Sequence, residues 1–197
     1  MWLIAGLGNP GERYRYTRHN IGFLTLQRCA KDNGISLVKE HSCEALVGRG
    51  QIAGKKVMLL LPQTYMNKSG ESVMKVFSRE IKSLERVMVV CDDINLELGR
   101  MRMKPKGSSG RHKGLESIIA CLGTRDFARL RMGIATGVHE GDISGYVLEP
   151  FTKRQMKDVS RMIERAQQAL EFWLDEGIEA AMNWCNLKTP NAERETS

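Results

Sequence analysis

The stretch from Arg86 to Cys91 constrains the fold of this chain more than any other. After the arginine it is wholly apolar, three of its residues are valine, and it stops at two carboxylates, Asp92 and Asp93. A short apolar run rich in β-branched residues and bounded by polar ones reads as a strand buried on both faces, the situation of a central strand in a parallel sheet covered by helices. A strand that finishes in carboxylates places them at its carboxyl end, where open α/β sheets collect their ligands.

The rest of the chain alternates in the way such a sheet requires. Trp2 to Leu7 reads as a buried strand ended by Gly8-Asn9-Pro10-Gly11, and apolar residues then recur at helical spacing from Ile21 to Asn33. Ala45 to Gln51 and Lys55 to Leu61 form a hairpin about Ala53-Gly54. Pro62 to Ser69 is turn-like, and Ser69 caps a helix running to about Arg79. Arg100 to Lys104 reads as an edge strand, Gly114 to Leu122 as a helix and Ala128 to Ala135 as a strand. Thr152-x-x-Gln155 is a capping box in front of a long helix whose apolar stripe runs from Met156 to Trp173. A shorter helix from Ile178 to Trp184 follows. These elements predict a single α/β domain over 1–186, with a mixed, mostly parallel twisted sheet flanked by helices, and a polar disordered tail over 187–197.

With 197 residues, 42% hydrophobic and 27% charged, the composition is that of a globular protein rather than a disordered or fibrous one. The longest apolar stretch, Val57 to Leu61, is too short to cross a bilayer, and the amino terminus lacks the pattern of a signal peptide. A cytoplasmic protein with no membrane partner is expected. Its five cysteines are odd in number and lack a C-x-x-C pair, and its four histidines lack metal-ligand spacing, so reduced thiols and no metal are expected. Cys91 is read as structural, because alternation turns it away from Asp92.

The net charge of +7 favours a polyanionic partner. Much of the excess lies between Glu97 and Glu116, where Arg100, Arg102, Lys104, Lys106, Arg111 and Lys113 occur without an acid. Gly107 to Gly110 interrupts this stretch, which predicts a mobile cationic loop able to mould to phosphates.

Gly6-Leu7-Gly8-Asn9-Pro10-Gly11 fits G-x-G-x-x-G, yet the residues that follow, Glu12 to Arg18, lack the apolar stripe of the helix that a dinucleotide site needs. No nucleotide cofactor is therefore expected. Thr17-Arg18-His19-Asn20 falls just before the first helix, where the macrodipole disfavours a protonated histidine. A neutral imidazole there suits a general base, and Asp92 could orient its ring, although helix capping is the simpler use of His19. Pro62 to Asn67 offers an aromatic face, a thioether and an amide, suited to stacking a base and bonding a peptide group.

Together these segments resemble the bacterial-type peptidyl-tRNA hydrolase family. The likeness rests on residues 6–11, on Tyr14 with residues 17–23, on Pro62-Gln63-Thr64-Tyr65-Met66-Asn67-x-Ser69-Gly70, on Asp92-Asp93, on the loop from Gly110 to Leu115 and on residues 130–134. The resemblance implies hydrolysis of the ester joining peptide to tRNA, without metal or cofactor. A small cytosolic hydrolase with no long apolar edge is expected to be a monomer. By position, His19 would be the general base, Asp92 its support, and Asn9 the residue that separates blocked from free aminoacyl groups. Tyr14, Tyr65, Met66, Asn67 and Lys113 would line the peptidyl and 3'-end site, and Lys104 and Arg131 would clamp the tRNA 5' phosphate. The chain departs from the family at Cys91, Asn95, Arg111 and Lys113, where histidine, aspartate, glycine and asparagine are usual. A lysine at 113 is expected to disfavour protonation of His19. The alternative is an RNA-binding protein on the same scaffold that makes no use of the base, like splicing proteins that resemble the family.

Overall fold

In the computed structural model, which describes residues 1–137 and 142–187, seven strands form one sheet in the order β2-β3-β4-β1-β5-β7-β6. They are β1 (Trp2–Gly6), β2 (Val38–Glu40), β3 (Ala45–Ile52), β4 (Lys55–Pro62), β5 (Val87–Glu97), β6 (Met101–Lys104) and β7 (Ala128–Ala135). The centre, β4-β1-β5-β7, is parallel, and both margins are antiparallel. Helices α1 (Ile21–Asp32), α5 (Met156–Glu176) and α6 (Ile178–Asn186) cover one face, and α2 (Ser69–Val76) and α3 (Lys113–Leu122) the other. A short helix, α4 (Ile143–Leu148), stands apart near the carboxyl ends of the strands.

Alternation along β5 explains the two cores. Met88 and Val90 join the apolar layer under α1 and α5, while Val87, Val89 and Cys91 join the layer under α2 and α3. Buried on both sides, this strand is as apolar as its sequence predicts. It does not end at Asp92-Asp93, however. Its pairing with β7 stays regular through Asp93↔Gly133, then shifts register before Glu97↔Ala135, so the carboxylates sit where the regular ladder stops rather than where the strand stops. Polar residues suggest a strand end in the sequence, but an irregular ladder tolerates them.

The chain leaves β1 for β4 on one side and later crosses to β5 on the other, which opens a crevice at the carboxyl end of β1. Two of the glycines in residues 6–11, Gly6 and Gly8, serve this packing. A methyl group on Gly6 would come 2.5 Å from the Gly22 carbonyl oxygen, and one on Gly8 would meet the Phe23 ring at 2.6 Å. Gly11 is followed by a 3-10 turn, Glu12–Tyr14, instead of a helix. The glycines thus let α1 lie directly on β1.

Sequence patterns missed two elements. The edge strand β2 is only three residues long and mostly exposed, and α4 carries no fully buried residue, so neither has a hydrophobic period to read. The expected tail from 187 lies outside the described residues except for Leu187.

Gly22 lies over the hydrogen bond from Leu7 N–H to the Val90 carbonyl that joins β1 to β5, and a Cβ there would sit 2.5 Å from both atoms. These neighbours are backbone and cannot rotate away. Gly22→Ala should therefore cost about 1–3 kcal/mol, read as a lowered Tm in thermal unfolding. An unchanged Tm would show that α1 has room to lift.

Candidate active site

At the crevice, three side chains from distant parts of the chain meet at one oxygen. His19 lies in a 3-10 turn, Arg18–Asn20, that leads into α1, and its Nδ1 is 2.7 Å from Asp92 Oδ1. His112 Nε2 is 2.9 Å from the same oxygen. All three residues are buried, and Asp92 is only 3% exposed.

The hydrogen bonds dictate where the protons are. His112 is the N-cap of α3, and its Nδ1 accepts from the N–H groups of Gly114 and Leu115 at 3.1 and 3.3 Å. That nitrogen must be unprotonated, so Nε2 carries the hydrogen and donates it to Asp92. His19 likewise donates from Nδ1, which leaves its Nε2 lone pair toward the cleft. Burial would raise the Asp92 pKa, but the electrostatic interactions and hydrogen bonds with the two imidazoles outweigh it and hold the carboxyl well below the usual range.

The same carboxylate acts on His19. Burial lowers the pKa of the ring, yet the charge and hydrogen bond of Asp92 win and raise it above the ordinary histidine value. This reverses the shift expected from the helix end, because a full charge at hydrogen-bond distance exceeds the partial charge of a helix terminus. Lys113 does not counter it. Its side chain is 72% exposed, its Nζ is 3.8 Å from Glu116 Oε2, and its charge plays no part in the His19 shift. The lysine is turned to solvent, contrary to the expected coupling.

His19, Asp92 and His112 also have the composition of a two-histidine, one-carboxylate metal set, with their ligand atoms within 4.8 Å of one another. The cap opposes that use. A metal on His112 Nε2 would move the ring proton to Nδ1, against two backbone N–H donors. The arrangement suits hydrogen bonding.

Asn9 closes the other side. Its Oδ1 accepts from Met66 N–H at 2.8 Å, while Asn20 grips its backbone from both ends, Oδ1 accepting from Asn9 N–H and Nδ2 donating to the Asn9 carbonyl. With the carbonyl side of the amide committed, the Asn9 Nδ2 group is the donor left to offer. Asn9, His19, Tyr65, Met66, Asn67, Asp92, Lys113 and Arg131 all line one cleft of about 860 Å3. Ile94 and the α4 residues Ile143, Val147 and Leu148 supply an apolar wall to it.

Tyr14 and Lys104 lie outside the cleft. Tyr14 is half-buried beneath the Arg13 guanidinium, and Lys104 is exposed at the end of β6. Arg131, the other expected phosphate ligand, is buried and engaged: it donates to Asp93 Oδ2 at 3.0 Å and to the carbonyls of Ser108 and Ser109. Arg129, fully buried, donates to the carbonyls of Gly107, Ser108, Arg125 and Phe127, and burial lowers its pKa to about 10. The loop expected to be mobile is thus pinned along its backbone by two arginines. Two functional residues, His112 and Asn20, escape sequence reasoning although both fall within the motifs that carry the family resemblance. His112 stands two residues before the predicted helix start at Gly114 and is not one of the Ser, Thr, Asp or Asn residues that signal a cap, so its capping role leaves no trace in the sequence.

The family model described as peptidyl-tRNA hydrolase matches residues 3–194. The peptidyl-tRNA hydrolase of Carboxydothermus hydrogenoformans is 45% identical over 182 residues, covering 92% of this chain and 96% of its own. That of Bacillus cytotoxicus is 44% identical over 183 residues, covering 93% and 98%. Among solved structures, the Acinetobacter baumannii peptidyl-tRNA hydrolase superposes with a TM-score of 0.89 at 34% identity, covering 95% of each chain. The α/β sheet with its buried imidazole–carboxylate centre is that of a hydrolase scaffold, and the chain belongs to the peptidyl-tRNA hydrolase family.

His112 holds both the Asp92 carboxylate and the start of α3. His112→Ala should lower stability by about 2–4 kcal/mol, combining a lost cap with a lost hydrogen bond to a buried charge. Denaturant unfolding measures it, and a loss below about 1 kcal/mol would mean that His19 alone satisfies Asp92.

Proposed function

We propose that the enzyme releases peptides from tRNA by attack of a water molecule that His19 activates. The observation that carries this reading is the 2.7 Å contact between His19 Nδ1 and Asp92, which leaves Nε2 as an acceptor lining the cleft. Nε2 takes a proton from water as the oxygen adds to the ester carbonyl. When the tetrahedral adduct collapses, the C–O bond to the ribose breaks and the imidazolium returns the proton to the departing oxygen. Asp92 supports the imidazolium in between. No covalent intermediate on the protein is needed, and the buried Cys91, whose thiol is pushed up by burial, takes no part.

Asn9 supplies the discrimination. Its fixed Nδ2 donor suits the carbonyl that an N-blocked aminoacyl group carries, whereas a free ammonium would meet a donor with nothing to accept its protons. Tyr65 and Asn67 stand exposed beside it for the terminal nucleotide and the peptide backbone, with Lys113 exposed in the lining and Tyr14 outside the cleft. Lys104 is exposed and in no ion pair among the described residues, which leaves it free to meet the tRNA 5' phosphate. Arg131 would serve that phosphate indirectly, by holding the loop. A monomer in the cytosol is the state we infer: β2 is short, and β6 has its Met103 N–H and carbonyl occupied by the Asn186 side chain. The binding-only alternative has no use for an oriented base.

Release of N-acetylamino acid from charged tRNA tests the reading. His19→Ala should lose at least a factor of about 10² in turnover while still binding tRNA. Retention of more than a tenth of wild-type turnover would overturn the assignment of the base. Asp92→Asn should fall between the two. It should also move the acidic limb of kcat/KM to lower pH, since removing the carboxylate removes what raises the His19 pKa. An acidic limb shifted upward would contradict the electrostatic account.

A further inference from the structure

Among the described residues, four other than glycine have positive φ: Glu44, Ala53, Lys82 and Arg111. Glu44 lies just before β3, Ala53 turns the β3–β4 hairpin, and Lys82 ends the helical segment after α2; none of these lines the cleft. Arg111 does. Its φ is 67°, a conformation that favours glycine.

The backbone there has no freedom to relax. On one side Arg131 holds the Ser108 and Ser109 carbonyls, and the Arg111 N–H is bonded to Ser109 Oγ at 3.2 Å. On the other, His112 is fixed by Asp92 and by the start of α3. The Arg111 side chain is exposed, and its guanidinium forms no ion pair or hydrogen bond among the described residues. The flanking bonds hold this φ in place, but the Arg111 side chain itself makes no contact among the described residues that offsets its strain. Of its cationic neighbours, Arg131 is committed to Asp93, while Lys113 is largely exposed, 3.8 Å from Glu116.

We propose that Arg111 is a further substrate-binding residue, whose guanidinium takes the phosphodiesters of the unpaired 3'-terminal nucleotides of tRNA. The proposal rests on the hydrolase reading. If the scissile ester lies at His19 Nε2, the terminal ribose that carries it lies in the cleft, and the phosphodiesters of the 3' end must pass its lip. Arginine presents a planar fork of donors that matches two phosphate oxygens, which offsets the strain when substrate is bound.

The test uses uncharged tRNA, either full-length or lacking its unpaired 3'-terminal nucleotides, titrated against the whole protein over a salt series. Arg111→Gly should keep Tm at or above the wild-type value, because the strain goes. It should also weaken binding of full-length tRNA by about three- to tenfold and reduce the log–log salt slope by about 0.7 for each phosphate that is no longer neutralised. The shortened tRNA should bind both proteins alike, and Arg111→Lys should recover part of the affinity. Three results would each overturn the proposal: unchanged affinity and slope for full-length tRNA, an equal loss with the shortened tRNA, or a lowered Tm. Wild-type release of N-acetylamino acid, assayed alongside, keeps a failure of the hydrolase reading distinguishable from a failure of this one.

Discussion

A carboxylate buried at the carboxyl end of a parallel sheet has to be compensated, and the compensation of Asp92 organises this site. Leaving such a charge unpaired in a protein interior costs several kcal/mol, so the fold must bring donors to it. It brings two imidazoles, each donating one N–H to the same oxygen. One belongs to the turn before α1 and the other to the cap of α3, so the carboxylate joins the two helical layers across the sheet. Its demand for donors also sets the tautomers. His112 can donate from Nε2 only because α3 supplies the two N–H groups that keep its Nδ1 bare, and His19 is left with its Nε2 lone pair free.

Around this centre the chain uses arginine in two different ways. Arg129 and Arg131 point inward from β7 and bind backbone carbonyls, an arrangement that converts a Gly/Ser-rich loop into a fixed wall of the cleft. Arg111 points outward from that wall and keeps its charge unshared. Rigidity and cationic character therefore come from the same residue type, and exposure decides which one each supplies. A pinned wall also explains how a strained φ can persist at Arg111, since the flanking backbone bonds over-determine it.

Much of this is legible in the linear chain. Strands β1, β3, β4, β5, β6 and β7 and helices α1, α2, α3, α5 and α6 announce themselves because each buries a periodic apolar face, and the family motifs lead to His19, Asp92, Asn9 and the Tyr65–Asn67 turn. Elements with little buried surface, β2 and α4, leave no such trace, and α4 contributes the apolar wall of the cleft. His112 and Asn20 sit within the motifs without a legible role, because their work is done through hydrogen bonds to partners far along the chain.

The composition, the apolar strand with its acids and the spacing of the motifs were enough to settle the architecture and the family, since these depend on local propensity and on the period of burial. The sign of the His19 pKa shift was of another kind. A rule applied to neighbouring residues sees a helix end and predicts a depressed value, whereas the folded chain sets the ring 2.7 Å from a carboxylate 73 residues away. The same holds for Lys113 and Arg131, whose charges were evident and whose partners were not. Coulomb energies depend on distances between atoms, and for residues far apart along the chain those distances exist only once the sheet has assembled.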